Sequence, residues 1–218
     1  MDYRLKLNEE LTAVYQQVLK MGTLVEESLQ KAINALIHRD AELAEQVITN
    51  DFQIDTYQST IEDHCTKIIA TEQPVASDLR NLVTVIKIVS DLERIGDHAR
   101  HLARSLESID QATMDSLLPD IEKMTKKGIE MVHQSLTAFS RFDSRLARKT
   151  AEMDDQLDEQ HKLLYNKIIS MMKQDPDKVE AGGTLLFLNR FLERLGDHVT
   201  NICEWIVYAS SGNHSELN

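Results

Sequence analysis

The chain has 218 residues, 42% of them hydrophobic and 28% charged, and a formal net charge of −12. That length suits one globular unit or two small ones sharing a core. The acidity argues against direct binding to nucleic acid or to an anionic membrane surface, since both want a basic face. It fits cation binding, or plain solubility.

Seven glycines, three prolines and 5% aromatics favour long helices over a β-rich fold. Cys65 and Cys203 fall within helical apolar patterns and form no CxxC, so buried reduced thiols are expected. The opening MDYRLKLNEE is no signal peptide, and no apolar run reaches about 18 residues. A cytoplasmic protein is expected, with any membrane association made through a partner.

The first periodic segment runs from about Leu7 to Ile37, with Leu7, Leu11, Val14, Val18, Met21, Val25, Ile33 and Leu36 at helical spacing. Asp40 can cap a second helix, which carries Val47, Ile54, Ile61 and Ile68 and is ended by Pro74. A third helix, from about Val75 to Leu106, has the seam Val85, Ile88, Leu92, Ile95, Ala99, Leu102 and Leu106. Ser108–Ser116 is polar and aperiodic and reads as a linker. Pro119 then fits the first turn of a fourth helix running to about Phe142. Asp143 can cap a fifth helix, which Pro176 ends, and a sixth runs from about Lys178 to Ala209. The tail SSGNHSELN reads as frayed.

The second half repeats the first. LERIGDH at Leu92–His98 returns as LERLGDH at Leu192–His198, 100 residues later, changed only at Ile95/Leu195. At an offset of 103, Asp40, Leu43 and Ala44 match Asp143, Leu146 and Ala147, while Asp51 and Asp55 match Asp154 and Asp158. The fall from 103 to 100 predicts a connection three residues shorter in the second half. The expected fold is all-α, six long helices as two repeated three-helix bundles. It divides into a first repeat over residues 1–108, a linker over 109–116, a second repeat over 117–210 and a flexible tail over 211–218.

Each copy of the phrase carries a glutamate and an aspartate four residues apart, which on a helix are neighbours that repel by a few tenths of a kcal/mol. Each also holds a glycine that costs roughly 1 kcal/mol relative to alanine. With Val85, Leu92 and Ala99 at heptad position a, Gly96 falls at e, beside the seam, and Glu93 and Asp97 fall at b and f, on the outward face. Gly196, Glu193 and Asp197 take the same positions. The glycines therefore fit a close helix crossing. Outward acids disfavour acid/base catalysis in a closed pocket.

Asp51/Asp55 and Asp154/Asp158 are further acidic pairs at matched places on the preceding helices. If those helices pack side by side, Asp51, Asp55, Glu93 and Asp97 converge on one patch, and Asp154, Asp158, Glu193 and Asp197 on another. Such oxygen clusters bind Fe, Mn, Mg, Ca or Zn. The bland alternative is a charged surface rich in acids. His98 and His198 read as packing residues rather than ligands. Arg94 and Arg194 fit screening of the neighbouring acids, with contact to an anion or partner as the alternative.

The phrase, with its continuations LERIGDHARHLA and LERLGDHVTNICEWIVY, resembles the signature of the PhoU family, bacterial accessory proteins of the high-affinity phosphate transporter. QPVASDLRNL (Gln73–Leu82) is similar to the family's stretch before its first copy. The resemblance spans essentially the whole chain. It implies two three-helix bundles, commonly a homodimer, and E/DxxxD motifs binding multinuclear clusters, with iron or zinc as the type of metal. Carried over, those motifs are Asp51/Asp55, Glu93/Asp97, Asp154/Asp158 and Glu193/Asp197. The implied role is to restrain the phosphate-starvation two-component system, between the transporter ATPase subunit and the sensor histidine kinase. Asp78 and Arg80 have no counterparts in the second half, where Lys178 and Glu180 stand, so a regulatory or partner site using them exists once.

No Ser/His/Asp set, glycine-rich phosphate loop or Walker motif is visible, so a non-enzymatic adaptor is expected. The alternative is a di-iron or ferritin-like carboxylate protein. That needs two Glu-x-x-His motifs facing a bundle interior. Only Glu130/His133 is found, since Glu27 is followed by Gln30. A histidine phosphotransfer module built on His98 is a third, weaker reading, opposed by the histidine's duplication and by the six-helix count.

Overall fold

The computed structural model describes the backbone of residues 3–217 and the side chains of residues 4–217; residues 1, 2 and 218, at the ends of the first repeat and of the tail, lie outside the described residues. The helices are α1 (Tyr3–His38), α2 (Ala41–Glu72), α3 (Ser77–Arg104), α4 (Gln111–Arg141), α5 (Ser144–Ala151), α6 (Asp154–Gln174) and α7 (Val179–Ser211), with short 3-10 turns at Ser105–Ser108 and Pro176–Lys178. α5 and α6 together form the fifth of the six expected arms. Glu152 and Met153 keep right-handed backbone between them, and the Met153 N–H bonds to Thr150 and the Gln156 N–H to Met153 in the tighter i→i+3 pattern. Asp154 therefore opens a helix, whereas its counterpart Asp51 sits inside the unbroken α2.

Apolar spacing explains which faces are buried. Leu7, Leu11, Val14, Val18, Met21 and Val25 line the buried side of α1, and Leu185, Leu188, Leu192, Leu195, Val199 and Ile202 that of α7. The first bundle packs α1, α2 and α3 on one another, and the second packs α4, α5, α6 and α7. The bundles join through α3 against α7 and α1 against α4, so the two phrase-bearing helices run through the middle and one core serves both halves.

The first connection of each bundle is built twice in the same way. Arg39 and Phe142, 103 residues apart, both adopt positive φ (54° and 48°) and end their helices in the left-handed region. The next residue caps the following helix: Asp40 accepts from the Leu43 N–H, and Asp143 from the Arg145 and Leu146 N–H groups.

Several expectations are corrected. Residues 111–116 are not linker but the start of α4, capped by Asp110, which accepts from the Thr113 N–H. Pro119 thus lies inside the helix rather than in its first turn, where it withholds one N–H from the ladder. Buried Met114, Leu117, Ile121 and Met124 hold that segment against the core. The connection in the second half is not shorter: residues 73–76 join α2 to α3 and residues 175–178 join α6 to α7. The missing residues come from the helix ends instead. The tail turns back at Gly212 (φ 79°), His214 stacks on Tyr208 at 4.0 Å, and the Leu217 N–H donates to Glu204 Oε1 at 2.8 Å.

Candidate functional site

α3 is flanked by α1, α2 and α7, so its outward face narrows to a stripe through Lys87, Ser90 and Arg94. This corrects the heptad reading of the acids. The seam describes contact with the core, while the flank holding Gly96 packs on α2. A Cβ on Gly96 would stand 2.9 Å from Ile54 Cδ1 and 3.7 Å from Asp51 Oδ1, so the glycine allows the close crossing expected of it. Asp51 is buried under that crossing, and the Glu93 and Asp97 side chains are only 18% and 19% exposed, while Asp55 is exposed.

The four acids of this first groove feel one another. Burial raises the Glu93 carboxyl above its ordinary range, Asp97 adds to it, Arg94 opposes it, and Asp55 and Asp51 raise it further. Burial likewise raises Asp51, opposed mainly by Arg100. Arg94 lies 3.5 Å from Glu93 and 3.4 Å from Asp97, which is the screening role expected of it. Arg100 does more: its guanidinium pairs with Asp51 on α2 and Asp97 on α3 together.

α6 and α7 build a second groove. A Cβ on Gly196 would overlap Asp154 Oδ1 and stand 2.8 Å from Leu157 Cδ2, so the buried Asp154 carboxylate occupies the room the glycine leaves. Burial raises the Glu193 carboxyl, and Asp197 and Asp158 add to it against Arg190 and His161. Glu193 Oε2 is buried without a hydrogen-bond partner. Arg190 pairs with Glu193 at 2.5 Å. Arg194, unlike Arg94, forms no ion pair among the described residues. Among the described residues, no three or more His, Cys, Asp or Glu side chains are arranged to hold one metal ion.

Where α3 crosses α7, His98 and His198 meet with ring centres 5.5 Å apart. His98 is buried and stacked on Phe191 at 5.3 Å, and His198 Nδ1 lies 2.9 Å from Asp91 Oδ1. Burial, then the neighbouring His198, Arg194, His101 and Arg94 charges, push the His98 imidazole down to about 3, so it packs as a neutral ring. Both histidines are interface residues, as expected.

The remaining candidates lie elsewhere. Asp78 is buried and paired with Arg4 at 2.5 Å, and Arg80 packs against Gly212, so both tie the α2–α3 connection to the chain ends, away from the grooves. Glu130 and His133 face solvent, with Lys127 on one and Glu26 on the other. They therefore do not face the bundle interior, where the di-iron alternative places its ligands. Arg100, Asp91 and His161 were missed from sequence. Arg100 had a signal: it lies three residues from Asp97 and breaks the repeat, since Thr200 is its counterpart.

No described helix is long and apolar enough to cross a membrane. The PhoU domain model matches residues 18–106 and again 121–206, one match in each half. The chain is 34% identical to the phosphate-specific transport system accessory protein PhoU homolog of Clostridium acetobutylicum, over 96% of each protein. It is 36% identical to the phosphate-specific transport system accessory protein PhoU of Escherichia coli, over 95% of this chain and 86% of that one. Its structure superposes on that of the phosphate transport system regulatory protein PhoU from Streptococcus pneumoniae with a TM-score of 0.88 and 32% identity, covering 98% of this chain and 99% of that one. For PhoU from Pseudomonas aeruginosa the TM-score is 0.87 at 36% identity, covering 94% and 99%. With both halves matched and the likeness running almost end to end, this chain belongs to the PhoU family.

Proposed function

We propose that this protein is a cytoplasmic regulatory accessory of a phosphate-specific transport system. It restrains the phosphate-starvation response and phosphate uptake when phosphate is plentiful, contacting the transporter ATPase subunit and the sensor histidine kinase, and it works as a homodimer. The likeness to accessory proteins over nearly the whole chain is the observation that carries this reading. No reaction chemistry is assigned: the acids face one another along helix crossings, and the interior is apolar.

Metal binding forms the second part of the proposal, with iron or zinc as the expected ion and Mg or Mn as alternatives. Oxygen donors drawn from two neighbouring helices suit hard and borderline cations. In the second groove the fit is supported by the room beneath Gly196, filled by a carboxylate, and by the unpaired, buried Glu193 Oε2. A bound cation there would neutralise facing acids and tie α6 to α7.

The test of the adaptor role is capture of the ATPase subunit and the sensor kinase by the tagged protein at low and high phosphate, beside a starvation-promoter reporter in a deletion strain. Capture of either partner, with a reporter switched on in high phosphate by the deletion, is expected. Absence of capture at any phosphate concentration and an unchanged reporter would reject it.

A further inference from the structure

Around the crossing of α3 and α7 the two halves correspond residue by residue at an offset of 100. His98 meets its own counterpart, His198. His101 stacks on Phe191 with ring centres 4.5 Å apart, and their counterparts Asn201 and Asp91 are joined by a hydrogen bond of 3.4 Å. Each surface on one side of the crossing therefore has a matched surface on the other.

One of these surfaces is filled and covered. Trp205 of α7 lies against α3, with Lys87 Nζ 5.7 Å from the centre of its ring and the Thr84 hydroxyl donating to its carbonyl. The chain's own tail closes over it. His214 stacks on Tyr208 and meets the Trp205 ring edge to face at 5.0 Å, and the Leu217 N–H donates to Glu204.

The matched surface is open. Ser105 and Ser108, on a 3-10 turn, stand where α7 carries Trp205 and Tyr208, and no tail follows them, because the chain enters α4 after Asp110. A cavity of about 180 Å3 is left between these serines, Thr184 and the rings of His101 and Phe191, with room for one aromatic side chain. Phe187 takes the place of Lys87 and is 68% exposed beside it. Arg104 takes the place of Glu204. It is exposed, forms no ion pair among the described residues, and no acid lines the cavity. A lone cation beside uncovered rings favours an anionic group joined to an aromatic one.

We propose that this open surface docks an acidic segment of a partner protein, whose aromatic side chain enters the cavity against Phe187 and Phe191 and whose neighbouring carboxylate pairs with Arg104. The matched surface shows the kind of occupant: a piece of polypeptide that supplies a ring to Tyr208 and Trp205 and a backbone N–H to Glu204. With Arg104 in place of Glu204 the charge required of the occupant is reversed. A single aromatic anchor in a pocket, flanked by a charge pair, is a common way for proteins to dock. The inference gives the adaptor reading a docking place and rests on that reading for the existence of a partner.

The experiment titrates the full chain, followed by nuclear magnetic resonance, with defined probes. These are the peptide Gly-Asp-Glu-Asp-Trp-Asp-Glu-Asp-Gly, the same peptide with alanine for tryptophan, the same with lysine for every acid, and indole-3-acetate as a free aromatic anion. The acidic tryptophan peptide is expected to move the resonances of Arg104, Ser105 and Phe187 saturably, and the other three probes to bind about tenfold or more weakly. R104E should weaken the peptide about tenfold, because an attraction becomes a repulsion. F187A should weaken it too, with unchanged circular dichroism and sedimentation. S105W, which copies the other half, should fill the cavity and block the peptide; F187A and R104E decide the matter even where S105W does not fold. No saturable shift at these residues, or equal binding by the lysine peptide or by indole-3-acetate, would overturn the docking surface. So would loss of a dimer in F187A, which would make the occupant a second copy of the chain. An F187A/R104E protein that still captures the ATPase subunit or the kinase as wild type does would overturn the docking surface and leave the adaptor role standing. Peptide binding by a wild type that captures neither would support the docking surface and reject the adaptor role.

Discussion

Gly196 offers the sharpest test of how the grooves are built, with Gly96 as its internal control. Replacing either glycine by alanine should gain about 1 kcal/mol of helix propensity. At Gly96 the added Cβ meets the tip of Ile54 at 2.9 Å, an apolar side chain that can rotate. Overpacking of that kind costs about 1–3 kcal/mol, so G96A should end about 0–2 kcal/mol less stable than wild type. At Gly196 the Cβ overlaps the Asp154 carboxylate and crowds Leu157 at 2.8 Å. Asp154 is buried, so about 2 kcal/mol of overpacking joins about 1–3 kcal/mol for displacing a buried carboxyl group from its setting, together about 3–5 kcal/mol. After the helix gain, G196A should lose about 2–4 kcal/mol. Urea unfolding with linear extrapolation measures both. In a D154A background the clash with the carboxylate disappears, so G196A should cost no more than G96A, a coupling of about 2 kcal/mol between the two sites. A G196A protein as stable as wild type, or an unchanged cost in D154A, would refute the claim that the glycine makes room for this carboxylate.

Two further predictions concern protonation. Asp110 caps α4, and its hydrogen bonds from Thr113 hold its carboxyl below the usual range. A depressed carboxyl contributes stability that is present above its unfolded pKa of about 3.9 and lost as pH falls through the folded value. D110N still caps but does not titrate, so the stability difference between wild type and D110N should shrink on acidification below about pH 4; a difference that stays flat in urea titrations at successive pH values would contradict this. Burial pushes the Cys65 and Cys203 thiols up to about 12, and both are free and buried. An aromatic disulfide reagent at about pH 8 should therefore label them only as the protein unfolds in denaturant, and rapid labelling of the native protein would show that the bundle opens locally.

Much of this molecule is legible in its sequence, because helix periodicity and duplication are local signals. The 3-4 spacing along Val85, Ile88, Leu92 and Ile95 predicts a buried face, and those residues are buried. Asp40 and Asp143 read as caps and act as caps, because capping is decided within three residues. The repeat places Asp51 with Glu93 and Asp154 with Glu193 on neighbouring helices, and the grooves hold those partners. A local polar stretch concealed the start of α4, where the core contacts of Met114 and Leu117 outweigh an internal proline.

What tertiary structure alone decided is the exposure and pairing of the acids. A heptad assigns one buried seam to a helix, but α3 and α7 are each packed by more than two neighbours, and the second flank covers the carboxylates. Hence Glu93 and Asp97 lie half-buried in a groove rather than outward. Sequence shows that Arg100 and Thr200 differ; only the packing of α2 on α3 brings Asp51 within reach of that arginine. Composition, periodicity and duplication thus determined the helices and the repeat, because those depend on neighbours along the chain. Which carboxylate is buried, and which cation answers it, depends on groups far apart in sequence meeting at a close crossing, and a glycine on each of the two phrase helices makes those crossings fit.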